Sequence, residues 1–259
     1  MNIDFHVHGL LSKRKDFNHR MLLEEIEVAK QNNLDGFILC EHFNAINFLE
    51  LHKYLKENFI YEGDRYNIDG FYIFCGMEVN IKNKGHVIIA GNREDILFLH
   101  HDLLPYMIRP NYIEFKDLLD LADKYNCLKI GAHPYRKGHK LYTHPIELLK
   151  RLDALDLNAK DIFNKGELTV TEEVNYLSKL INVNVVTGSD SHTPLQLGSN
   201  MTSFEEDCLT ISDLRSAINK GLYKIQISKS LEFKVYTSKI LKRYIIKNVD
   251  YDKYTIFHI

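Results

Sequence analysis

Residues 3–8 read Ile-Asp-Phe-His-Val-His, an alternation of apolar and polar residues. Side chains in a strand alternate between faces. The segment therefore predicts a β-strand over Ile3–His8, with Asp4, His6 and His8 on one face. Ile3, Phe5 and Val7 take the other face, toward covering helices. Three polar groups on one face of a buried strand cost free energy unless something pairs them. A metal ion pairs the two histidines, and the carboxylate behind them, Asp4, can orient a ring. An edge strand whose polar face meets water accounts for the same residues, so this segment alone leaves both readings standing.

Outward from this strand, short β-branched or aromatic runs alternate with amphipathic stretches. Strands are predicted at Asp35–Cys40, Phe71–Met77, Val87–Ala90, Leu128–Ala132, Leu152–Leu157, Asn184–Thr187 and Tyr223–Ile227. Helical spacing of apolar residues predicts helices over Met21–Gln31 and Phe115–Tyr125. A further helix starts near Thr210, where Thr210-x-x-Asp213 resembles a capping box, and stops at Gly221. Such alternation implies βαβ units and a parallel sheet, closed as a barrel or open and doubly wound. The first strand is followed by no GxGxxG and the chain has no Walker A loop, so nucleotide-binding open sheets lose ground. Residues 229–259 are more basic and read as an appended helix plus tail with a solvated face.

Composition sets broad limits. The chain has 259 residues, 45% hydrophobic and 26% charged, with a formal net charge of −2. That suits one α/β domain with a sizeable core, and it lacks the basic footprint of a general nucleic-acid binder. No secretion signal is expected at Met1–His6, and no stretch reaches the roughly 18 apolar residues of a membrane span. The four cysteines, Cys40, Cys75, Cys127 and Cys208, form no CxxC pair and read as buried free thiols in a reducing cytoplasm.

Thirteen histidines are the unusual count, and several fall where strands end. Glu41 and His42 follow the second strand, and Glu78 follows Phe71–Met77. His133 closes Leu128–Ala132, and Asp190 and His192 close Asn184–Thr187. His86 comes from the other arm of a hairpin that begins at Glu78. Active sites of parallel α/β folds sit at the carboxyl ends of strands. Histidines with two carboxylates suit zinc, manganese or iron better than calcium or magnesium. The eight candidates His6, His8, His42, Glu78, His86, His133, Asp190 and His192 exceed what one tetrahedral ion uses. A multinuclear site follows, bridged by Glu78 or Asp190. His19, His52, His100, His101, His139, His144 and His258 read as surface residues.

Asp-Phe-His-Val-His, Cys-Glu-His, Gly-Met-Glu-Val with a later Gly-His, Ala-His-Pro-Tyr-Arg and Gly-Ser-Asp-Ser-His, in this order, resemble the motifs of the PHP (polymerase and histidinol phosphatase) family. The resemblance covers residues 1–228, with 229–259 as a helical extension of the same domain. It implies a distorted seven-stranded β/α barrel with a trinuclear site at the C-terminal ends of the strands. By motif, His6, His8, Glu78 and Asp190 would hold one ion. Glu78, His86 and His133 would hold a second, and His42 and His192 a third. The sequence departs from the family pattern after the paired histidines. Ser12-Lys13-Arg14-Lys15-Asp16 lies where a further ligand is usual, and Asp16 and His19 are the nearest substitutes.

The resemblance implies a metal-dependent phosphoesterase using two or three divalent ions and a metal-bridged hydroxide. Glu78, Asp190 and His192 are the catalytic candidates. Arg136, Arg14 and Asn158 are the candidates for contact with the phosphate, with a rim salt bridge or a solvated basic loop as the plainer meaning of the two arginines. Asp4 and Glu41 would support the ligands. The expected substrate is a small-molecule phosphate ester or a nucleotide, with no membrane and no general nucleic-acid partner. Amide or lactone hydrolysis at the same ions, or a non-catalytic metal-stabilised binding module, are the alternatives.

Overall fold

The computed structural model describes residues 1–248. The opening alternation forms β1 (Asn2–Val7). α1 (His19–Gln31) begins at Asn18, whose side chain accepts from the Arg20 and Met21 amides. Then come β2 (Gly36–Leu39), α2 (Phe48–Asn58) and a small hairpin, β3 (Ile60–Glu62) and β4 (Arg65–Ile68). β5 (Phe71–Asn80) and β6 (His86–Gly91) make a second hairpin. Helices α3 (Arg93–Asp102) and α4 (Phe115–Lys124) precede β7 (Leu128–Ala132). The one-turn α5 (Ile146–Leu149) leads to β8 (Ala154–Asn158), α6 (Ala159–Lys165), α7 (Glu167–Ile181) and β9 (Asn184–Gly188). The described chain closes with β10 (Asn200–Phe204), α8 (Ile211–Lys220), β11 (Tyr223–Ile227) and α9 (Leu231–Asn248).

Nine strands lie along one sheet in the order β11-β10-β1-β2-β5-β6-β7-β8-β9, and the β3–β4 hairpin hangs from β5. The path closes where β9 and the loop after it meet β1 and β10. Asp190 N donates to His6 O at 2.7 Å, and His8 N donates to Ser191 O at 3.0 Å. Lower down, Thr187 N donates to Thr202 Oγ1 at 3.0 Å. The sheet is thus a nearly closed barrel, with the hairpin expected between Glu78 and His86, but the expected seven strands and parallel sheet need correction. β6 runs antiparallel to β5 and β7, and β10 runs antiparallel to β1 and β11. Counting only βαβ units misses the β3–β4 hairpin and β10, which pairs antiparallel with β1 from far along the chain.

The sheet is filled on both sides. One buried cluster draws Ile3, Phe5, Ile38, Phe74, Ile88, Ile130 and Val186 from six strands, with Leu214 and Ile218 of α8. Residues from so many strands touch one another only inside a curved sheet. Helix α8 is held by the expected capping box at Thr210 and Asp213 and ends at Gly221 in the left-handed region. The other cluster joins the outer face, including Phe37, Leu39, Ile73 and Leu155, to Leu22 and Ile26 of α1 and to α4 and α7. Val7 belongs to this outer cluster, whereas Ile3 and Phe5 belong to the inner one. The simple alternation across β1 is therefore interrupted, and the β1–β2 register shifts between Asp4 and Val7.

Two histidines expected at the surface are buried instead. His52 lies on the apolar face of α2 with Phe48, Leu51 and Leu55, and its ring centroid is 4.5 Å from that of Phe48. His100 stacks on the same Phe48 at 4.2 Å and donates from Nε2 to Phe43 O at 2.9 Å. His19 and His101 are exposed as expected, and His144 is half-buried. His258 and the end of the expected tail lie outside the described residues. All four cysteines are buried and free. Among the described residues no helix is long and apolar enough to cross a membrane.

Gly188, at the end of β9, shows how tightly this barrel packs at its top. A Cβ there would come within 2.3 Å of His6 Cβ and 2.7 Å of Asp156 Oδ1. Neither neighbour has room to retreat, because both are fully buried. Gly188→Ala is expected to destabilise the fold by about 1–3 kcal/mol through overpacking. Urea unfolding checks this, and a variant as stable as the parent would show that the His6–Asp156 contact yields freely.

Candidate metal centre

The ends of β1, β2, β5, β7 and β9 bring their polar residues into one buried cluster. The break in the β1 register turns His6 and His8 together, with Nε2 atoms 3.2 Å apart. Glu78, 2% exposed, stands at the end of β5. Its Oε1 is 2.6 Å from His86 Nδ1 and 2.9 Å from His133 Nε2, and its Oε2 is 2.8 Å from His42 Nδ1. Asp190 Oδ1 lies 3.4 Å from His8 Nε2 and 3.9 Å from His6 Nε2. The His192 ring packs 4.1 Å from that of His8.

Two of these residues adopt backbone conformations that L residues rarely take. His133 has φ 31° and Asp190 φ 56°. Such strain persists where the surroundings over-determine it. At Asp190 the bond from its own amide to His6 O supplies the restraint.

Charge is managed by neighbours rather than by water. Burial alone would raise the Glu78 carboxyl, but His86 and His42 outweigh it and hold the group well below the ordinary carboxylate range. Asp190 is likewise held low, against burial, by Lys160 and Arg136. Burial disfavours charge on His6, yet Asp190, Asp156 and Glu78 push it up to about 10. Burial lowers His42 to about 4.

Do these side chains fit metal ions? Three overlapping groups place their donor atoms within 4.8 Å of one another: His8, His42 and His192; His6, His8 and Asp190; and His6, Glu78 and His133. His42 Nδ1 sits 2.8 Å from Glu78 yet has no hydrogen-bond geometry, and the buried His8 Nδ1 and His133 Nδ1 also lack partners. Imidazole and carboxylate donors in this density fit borderline divalent ions. A proton on His6 would compete with such an ion for the same lone pair. His86 touches Glu78 but falls outside the three groups.

Supporting residues divide the work differently from the sequence reading. The His6 ring is oriented by Asp156, to which Nδ1 donates at 3.0 Å, rather than by Asp4. Asp4 Oδ1 instead accepts from the amides of Ser189 (2.9 Å) and His6 (3.0 Å), steadying the loop that carries Asp190. Glu41 accepts from the amides of Leu10 (2.9 Å) and His42 (2.8 Å) and so pins the two loops bearing His8 and His42. Arg136, expected to reach a phosphate, turns onto Asp161 (2.7 Å), Asp190 (2.6 Å) and Asn158 (2.6 Å). Asn158 is spent on Arg136 and on Asp156, at 2.8 Å. Arg14 stays exposed and does not line the cavity over the cluster. Asp16 and His19 are exposed too, whereas Lys13 reaches Asn80 at 3.1 Å and does line it.

Asn80, Lys160, His139 and Lys242 line the cavity, and Asp156 lies buried against His6; none of the five stands among the site candidates of the sequence. Asp156 carried a signal, since it interrupts the apolar strand Leu152–Leu157 as Glu78 interrupts β5. Lys160 Nζ meets Asp190 Oδ1 at 2.8 Å. His139, expected at the surface, is half-buried with its ring 4.0 Å from His86. Lys242 comes from α9, whose Ser238 one turn earlier bonds to Thr193 (2.8 Å) and Gln196 (3.1 Å), just past His192.

Comparison with known proteins places this geometry. No curated protein matches the chain in sequence. Among solved structures, PsfC from Pseudomonas syringae PB-5123 matches with a TM-score of 0.78 at 23% identity, over 94% of this chain and 98% of that one. The lesion-specific endonuclease PfuEndoQ from Pyrococcus furiosus matches at 0.62 and 17%, over 86% of this chain and 57% of that one. A two-domain protein from Bacteroides vulgatus ATCC 8482, described as containing a predicted PHP-like metal-dependent phosphoesterase, matches at 0.56 and 15%, over 92% and 69%. A family model described as PHP-associated matches residues 172–222. The PHP resemblance is borne out. Residues 172–222 of the PHP-associated match hold most of α7, all of β9 with the Asp190–His192 loop, and β10 and α8.

One expectation about partners is overturned. The sequence points to a small-molecule ester or nucleotide with no general nucleic-acid partner, yet a protein of this PHP-like fold, endonuclease Q, holds a 27-mer duplex substrate with an abasic lesion at its active site. A near-neutral net charge therefore fails as grounds for excluding nucleic acid, because charge summed over the chain hides a local basic surface.

Asp156→Asn keeps the shape but weakens the acceptor that fixes the His6 ring. Divalent-metal affinity is expected to fall about 10–100-fold, as for other supports of ligating histidines. Competition with a chromophoric chelator measures this; unchanged affinity would remove Asp156 from the site.

Proposed function

We propose that this protein is a metal-dependent hydrolase of phosphate esters. The observation that carries the reading is the coincidence of two kinds of group in one cavity. Metal-capable side chains form its floor, and Lys13, Lys160 and Lys242 stand over them. A floor of imidazoles and carboxylates suits ions, while lysines above it suit an anion that must lie against those ions. Residues 1–228 and the helix after them form one functional unit in this reading, because Lys242 completes the cavity.

His6, His8, Glu78, His133 and Asp190 would hold the first ions, with His42 and His192 beside His8 for a further one. Divalent zinc, manganese or iron, when bound, would supply Lewis-acid activation of water and of the phosphoryl group. The protein's part is positioning and charge. Glu78 and Asp190 would be the negatively charged ligands of the ions, and His192 stands beside Asp190 facing the cavity. Lys160, Lys13 and Lys242 neutralise phosphoryl oxygens. Arg136 acts through Asp190, holding its second oxygen so that the first faces His6 and His8.

The reading concerns the bond broken, a phosphoester, and leaves the alcohol to experiment. A fitting panel pairs phosphomonoesters with bis(p-nitrophenyl) phosphate, DNA oligonucleotides with and without an abasic site, and simple amides, in manganese or zinc. Turnover of amides alone would sink the proposal. On the best ester, Glu78→Gln is expected to lose activity on the order of a hundredfold or more, since even supports of metal ligands are worth 10–100-fold. A Glu78→Gln protein with full activity would defeat the assignment of Glu78 to the ions.

A further inference from the structure

Beside the metal centre lies a larger cleft, about 690 Å³, that shares Asn80, His86 and His139 with it. Its walls come from three segments: the β5–β6 hairpin tip, residues 109–112 and residues 138–143. They are tied together. Lys82 N donates to Ile113 O at 2.9 Å, and His144 Nε2 donates to Lys84 O at 2.6 Å. Asn83 and Lys84 are both left-handed, at φ 62° and 74°, and so turn the hairpin tip.

The charge on this cleft is one-sided. No Asp or Glu lines it, whereas Lys82, Lys84, Arg109 and Lys140 do. Lys82 is neutralised by Glu114 at 2.6 Å. Lys84, Arg109 and Lys140 have no acidic partner among the described residues. A lone surface lysine is usually only solvated. Here three cations from three tethered segments converge on one concavity, and a cleft lined by one sign of charge focuses its field on whatever enters.

The cleft opens onto the ions' side of the cavity at His86 and His139, whose rings are 4.0 Å apart. An ester with its phosphoryl group over Glu78 and Asp190 has this space for the rest of the molecule. Resting on the phosphoesterase reading, we propose that the cleft is the leaving-group site and takes an ester whose leaving group carries a further anionic group, a carboxylate or a phosphodiester. Specificity then comes from Lys84, Arg109 and Lys140, none of which belongs to the metal centre.

The test separates the cleft from catalysis. Metal-loaded protein is titrated calorimetrically with phenylphosphonate and with 4-carboxyphenylphosphonate, neither of which is hydrolysed. The parent should prefer the carboxylated probe by about tenfold, the scale of a few partly exposed ion pairs. Joint Lys84→Gln, Arg109→Gln and Lys140→Gln should erase that preference and leave phenylphosphonate unchanged. All three side chains are exposed, so the fold should survive, which thermal melting verifies. Equal affinities in the parent, or a preference that outlasts the substitutions, would overturn the proposal. A kinetic arm compares thymidine 5′-monophosphate with the 5′-phosphorylated dinucleotide. A KM rise in the variant for the dinucleotide alone names a phosphodiester as the anion, and a response confined to the carboxylated probe names a carboxylate. Failure to turn over any ester would sink the phosphoesterase reading, and the phosphonate titrations would still decide the cleft.

Discussion

A single carboxylate, buried to 2% exposure among imidazoles, constrains the rest of this molecule. Glu78 has His42, His86 and His133 within 3 Å, and His6 and His8 stand 3.7 Å away. No such group is kept from water without close compensation, so every element around it is pinned. The backbone of Glu78 donates to Glu41 O at 3.0 Å and accepts from Phe43 N at 3.1 Å, which ties the loop after β2 to the end of β5. β5 is the longest strand, and β6 returns from it antiparallel so that His86 can face the same oxygen as His133. The antiparallel hairpin of β5 and β6 is thus what brings His86 to this carboxylate.

Local chemistry made the site legible before the fold. His6, His8, Glu78, His133, Asp190 and His192 could be picked out because polar residues at the ends of apolar runs are costly and so conspicuous. The strand count was not legible. β10 reads Asn-Met-Thr-Ser-Phe, too polar to stand out, and it exists because β1 has an edge to pair. His52 and His100 were misplaced for the opposite reason. Phe48, Leu51, His52 and Leu55 have the spacing of an apolar helix face; His100 stacks on Phe48, and His52 lies tilted against it, where burial keeps its ring neutral. Lys242 could not have been read, since nothing in α9 says that Ser238 docks beside His192.

The same limit applies to charge. A chain with net charge −2 concentrates lysines around one cavity and an adjoining cleft, while its acids serve the floor or lie elsewhere. Lys13 occupies the loop in which the family pattern places a further ligand, and it turns to Asn80 over the cluster. Arg136, the more obvious cation in the sequence, is consumed in holding Asp161, Asp190 and Asn158. The distinction between a cation that meets the substrate and one that shapes the protein lies in its partners, which sequence spacing does not reveal.

The seam between β1 and the loop after β9 also bears on how the chain is made. Asp4 accepts from Ser189 across 185 positions of sequence, and β10 pairs along the same edge of β1 as that loop, the opposite edge being taken by β2. Contacts of such separation are the slow ones to form, because the chain between must be gathered first. On the ribosome, β1 emerges before the other strands described and then waits for most of the barrel with one edge unpaired and its histidines uncovered. Any ion captured in that interval meets only His6, His8 and whatever early residues have joined them. The carboxylate of Asp190 arrives among the last parts of the barrel, so the order of synthesis makes the centre complete only when the barrel does.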